Sequence, residues 1–162
     1  MPSFDVVSKV DLQEVDNAVN QAKKEISTRY DLKSTKCTIE FDRQAINIFA
    51  EDNMKLKALV EILNQKMAKR GVGLRSLDYQ PPEKASGESL RQKVLLKQGI
   101  STDDGRKMVK LIKELKLKKV QAQIQDEQLR ISGPKKDDLQ QVITTLKSKM
   151  DNLELQFVNY RD

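Results

Sequence analysis

The second half of this chain repeats the first. When it is slid back by 83 positions, apolar residues coincide without a gap. Ile39 falls on Ala122, Phe41 on Ile124, Ile46 on Leu129 and Ile48 on Ile131. Further along, Leu56 meets Leu139, Leu59 meets Val142, Val60 meets Ile143, Leu63 meets Leu146 and Met67 meets Met150. Agreement of apolar type at nine positions in one frame is hard to obtain by chance, so one supersecondary unit is used twice. Two compact units of about 75 residues fit the length. Units that small sit near the lower limit for burying a core, so packing on each other or on a second copy, as a homo-oligomer, is expected.

Each copy reads as strand, helix, hairpin, helix, strand. In the first, Phe4 to Val10 alternates as a half-buried strand should. Asp11 and Glu14 form an acidic capping pattern, and Leu12, Val15, Val19, Ala22 and Ile26 then follow at helical spacing. Lys36–Asp42 and Ala45–Ala50 read as two strands around a tight turn. A second helix runs from Asn53 to Lys69, with Gly71 as its stop, and Leu74–Tyr79 closes the unit. Pro81, Pro82, Ser86 and Gly87 mark a linker, because two prolines cannot sit in a central strand.

The second copy opens with a strand over Leu90–Lys97, and Ser101 with Asp104 caps a helix carrying Met108, Leu111, Ile112 and Leu115. Val120–Gln125 and Gln128–Ser132 turn through Asp126 and Glu127. Pro134 is expected in the first turn of the last helix, and Leu155–Tyr160 is the final strand. The expected fold is therefore α+β, two tandem ferredoxin-like (RRM-like) βαββαβ sandwiches. The domains are 1–80, a linker over 81–88, and 89–162.

The chain has no histidine. There is then no imidazole general base and no Ser-His or Cys-His nucleophile pair. Cys37 is the single cysteine, which excludes an internal disulfide and leaves no common zinc site. Its place in an alternating segment marks it as a small buried thiol. Phosphate-loop motifs are absent, and Asp103–Asp104 and Asp137–Asp138 read as first-turn carboxylates rather than catalytic acids. No cofactor, metal or enzymatic activity is expected. Neither an apolar run long enough to span a membrane nor a signal peptide is visible, which places the protein in the cytoplasm by expectation.

What remains is binding. In the second copy, alternation turns Val120, Ala122, Ile124, Leu129 and Ile131 toward the helices. The uncovered face then carries Gln121, Gln123, Gln125, Gln128 and Arg130, with Lys93 and Lys97 on a neighbouring strand. Amides and guanidinium groups can meet base edges and phosphates at fixed geometry. Charge points the same way, since residues 1–80 carry 13 Lys/Arg against 12 Asp/Glu, and residues 88–162 carry 16 against 11. Arg106, Lys110 and Lys113 line one helix face, with Lys116, Lys118 and Lys119 beyond, as a polyanion would require. Lys135 and Lys136 follow Ser132-Gly133-Pro134 at a helix start, where backbone N–H groups can receive an anion. The aromatic pair of an RNA-recognition sheet is missing, Phe49 being the single candidate in the first copy, so stacking is not expected as the main mechanism.

A family likeness rests on Met1-Pro2-Ser3-Phe4-Asp5-Val6-Val7-Ser8, Lys97-Gln98-Gly99-Ile100, Val120-Gln121-Ala122-Gln123-Ile124-Gln125, Asp137-Asp138-Leu139-Gln140 and Gln156-Phe157-Val158-Asn159-Tyr160-Arg161-Asp162. In this order they closely resemble the bacterial YajQ-like nucleotide-binding family over the whole chain. The resemblance implies binding of nucleotides or RNA. In some members it implies a cyclic-di-GMP effector role through protein partners, and it raises exchange of the first strands between the two domains. The chain departs from the family pattern at Pro134 and in its acidic Asp126-Glu127 turn, which weakens transfer of a phosphate role to that corner. The expected phosphate partners are Lys97, Arg130, Lys135 and Arg161, with Gln121 and Gln123 as base contacts. The alternative is a protein-interaction adaptor whose sheet faces serve self-association, with no specific nucleotide ligand.

Overall fold

The computed structural model describes residues 1–162. The first half supplies β1 (Ser3–Val7), α1 (Leu12–Thr28), β2 (Thr38–Phe41), β3 (Ala45–Ala50), α2 (Asn53–Lys69) and β4 (Leu77–Tyr79). A two-residue strand, β5 (Glu83–Lys84), leads to β6 (Leu90–Leu96), α3 (Thr102–Glu114), β7 (Gln121–Gln125) and β8 (Gln128–Ser132). The chain ends in α4 (Lys136–Lys149) and β9 (Gln156–Arg161). The expected order of elements is present twice, and all adjacent strands are antiparallel.

Local chemistry sets the helix starts. The Asp11 carboxylate accepts from the backbone N–H groups of Gln13 and Glu14, and the Ser101 hydroxyl accepts from that of Asp104. Asp52 does the same for Lys55 at the start of α2. Two expectations change. Pro134 precedes the α4 cap residue Lys135 and lies outside the helix, in the turn where the Gly133 N–H donates to the Pro2 carbonyl. Leu74–Ser76 winds into a single 3₁₀ turn, so the strand expected there is extended only over β4.

Strand order is β7-β8-β1-β9 in one sheet and β2-β3-β6-β4 in the other, with β5 also on β6. The chain therefore divides into a continuous unit, Val10–Lys97, and a split unit made of Met1–Lys9 with Gln98–Asp162. The linear boundaries 1–80 and 89–162 cut across both sheets. Residues 81–88 are more than a linker, because Glu83 and Lys84 pair with Arg91 and Leu90. Val6 stands opposite Leu129, and Val94 stands opposite Ile46. Since Ile46 and Leu129 are equivalent, so are Val6 and Val94, although 88 positions separate them rather than 83.

In the split unit, β1 is a central strand with Phe4 and Val6 fully buried beside Leu129, Ile131, Met108 and Leu146. The Phe4 ring lies 6.1 Å from that of Phe157 and 5.9 Å from that of Tyr160. Burial of Phe4 and Val6 contributes about 1.5–3 kcal/mol each, before chain entropy is counted. Gly99 has φ +79, and a Cβ there would lie 2.7 Å from the Glu127 carboxylate. That close approach lets the Gly99 N–H reach the Ser8 carbonyl and the Ile100 N–H the Glu127 carbonyl.

In the continuous unit, α1 and α2 cover the sheet with Val15, Val19, Ile26, Leu59, Leu63 and Met67, all buried. Across the two helices, the Arg70 guanidinium donates to both Glu14 oxygens at 2.8 and 3.0 Å, and Lys66 pairs with Glu25 at 3.1 Å. The unit is a circularly permuted βαββαβ sandwich, its first strand arriving last through β4, β5 and β6.

Strand placement makes a fragment prediction. A Val10–Lys97 fragment holds its whole sheet and should melt cooperatively by far-ultraviolet circular dichroism. A Gln98–Asp162 fragment lacks Phe4 and Val6 and should stay unfolded until a Met1–Lys9 peptide is added. Two independently folding pieces from a cut between residues 80 and 89 would contradict this strand order.

Candidate functional site

Helices α3 and α4 cover one face of the split unit's sheet, so side chains of opposite parity look outward. Two rows cross the open face. One runs Gln121, Ser132, Ser3 and Arg161, and the other Gln123, Arg130, Asp5 and Val158. Between Ser3 and Asp5, strand β9 carries one residue more than β1, a bulge at Asn159 with φ +56. The bulge keeps Tyr160 beside Phe4 while both Asn159 and Arg161 reach the open face.

Asp5 is the centre of this face. Its carboxylate is 1% exposed, sealed by its neighbours rather than by depth. Arg130 donates to it through Nε at 2.9 Å and Nη2 at 3.4 Å, Arg161 through Nη2 at 3.2 Å, and Asn159 through its amide at 2.9 Å. The Arg130 hydrogen bond is the largest cause holding the Asp5 pKa down at about 2, against an ordinary 3.8, and burial opposes it. Arg161 also donates from Nε to the Ser3 hydroxyl at 3.0 Å. Both guanidinium side chains remain about two-fifths exposed, and Nη1 of each has no protein acceptor. Two cations around one carboxylate leave the cluster at net +1.

Of the residues singled out by sequence, Gln121, Gln123, Arg130 and Arg161 share this face. Lys135 is exposed at the α4 cap, while the neighbouring Lys136 is paired with Asp162 at 2.8 Å. Lys97 belongs to the continuous unit, where its N–H donates to the Ser76 carbonyl at 2.8 Å. Arg130 is not a free solvent-facing side chain, because it is committed to a buried carboxylate that alternation alone cannot reveal. Charge is also redistributed. The continuous unit carries 16 Lys/Arg against 13 Asp/Glu and the split unit 14 against 11, so each is +3 and the excess expected in the second half disappears.

A second feature was not visible in the sequence. The open face of the continuous unit's sheet holds a cleft of about 750 Å³ lined by Thr38, Glu40, Asn47, Phe49, Arg91 and Lys93, with Pro81 and Pro82 on its rim. Phe49 is flanked by Thr38 on β2 and by Arg91 on β6, and Asn47 stands opposite Lys93. Alternation along β3 points Phe49 outward, but only the placement of β6 brings two cations beside it. Elsewhere, Cys37 is buried, no group of three His, Cys, Asp or Glu residues is placed to hold a metal, and no helix is long and apolar enough to cross a membrane.

These features define a class: a pair of ferredoxin-like sandwiches with open, polar sheet faces. The family model described as "Nucleotide-binding protein YajQ-like" matches residues 2–161, and the chain belongs to that family. Among its relatives, a "Nucleotide-binding protein" of Geobacter metallireducens is 54% identical over 162 residues, covering 100% of both chains. One of Geotalea daltonii is 53% identical over 161 residues, covering 99% of each. "Nucleotide-binding protein Mmc1_1670" of Magnetococcus marinus is 52% identical over 162 residues, again covering 100% of both.

The Asp5 cluster makes a pH prediction. A carboxylate with a depressed folded pKa stabilises the fold above its unfolded value of 3.8, and that contribution is lost as pH falls from there through 2. Asp5→Asn should cost about 1–2 kcal/mol at neutral pH after allowance for solvent screening. In urea unfolding followed at decreasing pH, the gap between wild type and variant should close over that window. A gap that does not change with pH would show that the Asp5 charge is not what holds the cluster.

Proposed function

We propose that the chain binds RNA or a cyclic dinucleotide on the open face of the split unit and passes the event to a protein partner, leaving the ligand chemically unchanged. The Arg130–Asp5–Arg161 cluster carries this reading. Its guanidinium groups are pre-oriented by a shared carboxylate, and each keeps Nη1 free for a new acceptor. A phosphodiester carries one negative charge, which matches the net +1 of the cluster. Gln123 stands beside Arg130 and Gln121 beside Ser132, so two amides lie within the same rows to meet base edges. Lys135 adds an exposed cation at the start of α4.

The names of the relatives support a nucleotide ligand. The family resemblance supports cyclic-di-GMP as the first ligand to test and the cytoplasm as its place. Binding without turnover is supported by the composition, since the chain has no histidine to serve as an imidazole base.

Titration calorimetry of the full chain with cyclic-di-GMP, GMP and a short oligouridylate tests the reading. Arg161→Ala should weaken the bound ligand about tenfold or more, through loss of a charge-assisted hydrogen bond. Affinity should fall as salt rises, more steeply for the oligonucleotide than for GMP, because it releases more counterions. The ligand should be recovered unchanged by chromatography. Absence of saturable binding by all three, or binding indifferent to Arg161→Ala and Arg130→Lys together, would reject this site.

A further inference from the structure

Each sheet has two edges, and three of the four are guarded. Strand β2 carries Glu40, which accepts from Lys23 at 3.0 Å. The β4 edge runs into Pro81 and Pro82, and β9 carries the bulge at Asn159. Charge, proline and bulges are the devices that keep an edge from pairing with another chain. Strand β7 has none of them. It reads Gln121-Ala122-Gln123-Ile124-Gln125 and lies at the end of its sheet. The adjacent residues Asp126 and Glu127 cannot bond to each other, so Gln125–Gln128 is a hydrogen-bonded pair, as then are Gln123–Arg130 and Gln121–Ser132. The N–H and C=O groups of Ala122 and Ile124 therefore point away from β8, along the edge.

The side chains along this edge are less complete than those of the other unit. Under the 83-residue repeat, Ala122 occupies the place that Ile39 holds in the continuous unit, and Ile39 is fully buried. Beside the smaller residue lies a cleft of about 470 Å³ between α3 and β7, lined by Val109, Ile112, Leu117 and Val120. Of these, Val109, Leu117 and Val120 are only partly buried. Ile124, on the same face of β7 as Ala122, lies against Gly105 of α3 and is still 39% exposed. An apolar cleft and an exposed isoleucine thus share one unguarded edge.

We propose that β7 pairs antiparallel with β7 of a second copy of this chain, about a two-fold axis at Gln123, so that two four-stranded sheets become one continuous sheet. In this register Ala122 of each copy stands opposite Ile124 of the other, and the pair exchanges hydrogen bonds through the groups that point outward. No other register that uses those groups overlaps all five residues of the strand. Residues directly opposite share a face, so each Ile124 is delivered to the cleft of the other copy, where it supplies the bulk that Ile39 supplies within the continuous unit. The ends match as well. Lys118 and Lys119 precede β7 and Asp126 and Glu127 follow it, all exposed and without an ion pair. Antiparallel pairing brings the basic end of each copy to the acidic end of the other. The contact is isologous and closes on itself, so it ends at a dimer. A five-residue pairing lies at the small end of specific interfaces, which makes the dimer reversible and dependent on concentration. The pairing goes beyond the nucleotide reading above and does not depend on it.

Analytical ultracentrifugation of the full chain, from micromolar to millimolar, should show a monomer–dimer equilibrium. Ile124→Lys places a charge where the apolar contact forms and should weaken dimerisation about tenfold or more. The double variant K118E/K119E should also weaken it, because like charges then meet at both ends of the paired strands. Thermal melts of each variant report whether the fold is kept. Cross-linking tests the register directly. With residue 123 on the axis, the two Cα atoms of Gln123→Cys lie about 4.5 Å apart, within the range of a disulfide. Gln121→Cys stands opposite Gln125 of the other copy and should not cross-link. Cys37 is buried, and the wild type controls for it. Cross-linking of Gln121→Cys as readily as Gln123→Cys would overturn the register. A wild-type chain that stays monomeric throughout, the edge then serving a different partner or none, overturns the proposal. So does a dimer that neither Ile124→Lys nor K118E/K119E weakens, since it must use another surface.

Discussion

Strand β1 is the element on which the split unit depends. Five residues form it, and its two faces do different work. Phe4 and Val6 close the core over α3 and α4, while Asp5 on the other face gathers Arg130 and Arg161. Both tasks are non-local. The Asp5–Arg130 hydrogen bonds span 125 residues and the Asp5–Asn159 bond 154. Forming these contacts requires ordering a long loop of chain before any of them stabilises it, so the split unit carries the higher entropic cost of closure. The continuous unit avoids this by receiving its equivalent strand, β6, through a turn from the edge of its own sheet.

How much of this was legible follows from what alternation encodes. Within each copy, the hairpin and the following helix were read in the right frame, and α2 runs over Asn53–Lys69 as its periodicity and stop signal require. Those elements are local, and their partners lie within a few dozen residues. Alternation says which face of a strand is apolar but not which sheet receives it. Val6 and Val94 are both apolar residues opposite equivalent isoleucine or leucine positions, so either strand satisfies either sheet by pattern. The departure from the 83-residue frame at these strands, 88 instead, is where the duplication stops predicting register.

The same limit explains the site. Gln121, Gln123 and Arg130 lie on neighbouring strands of one hairpin, and their common face was readable. Asp5 was not assigned to that face, because its strand was placed with the other half. Arg130 consequently looked like an unattached cation, and Lys93 and Lys97 looked like its neighbours. Placing β6 in the continuous unit equalises the charge of the two units and sets Arg91 and Lys93 beside Phe49. One topological fact thus assigns these side chains to sheets that composition and alternation cannot name.

The polar groups on the two open faces are tied to the fold in different ways. On the continuous unit, Phe49, Arg91 and Lys93 lie on strands already held by a dense ladder, with Arg91 and Lys93 making no ion pair. On the split unit, the groups offered to a phosphate are the ones that fix β1 to β8 and β9 through Asp5. A phosphate there shares its donors with the buried carboxylate and lies close to its charge. Its net stabilisation is the attraction of two guanidinium groups less the repulsion of Asp5, and Asp5 stays ionised because its pKa is about 2. A ligand held on those arginines therefore acts on the contacts that order β1, and through linkage on the stability of the split unit. The split unit's open face is for this reason the one whose polar groups and whose fold stability are tied together.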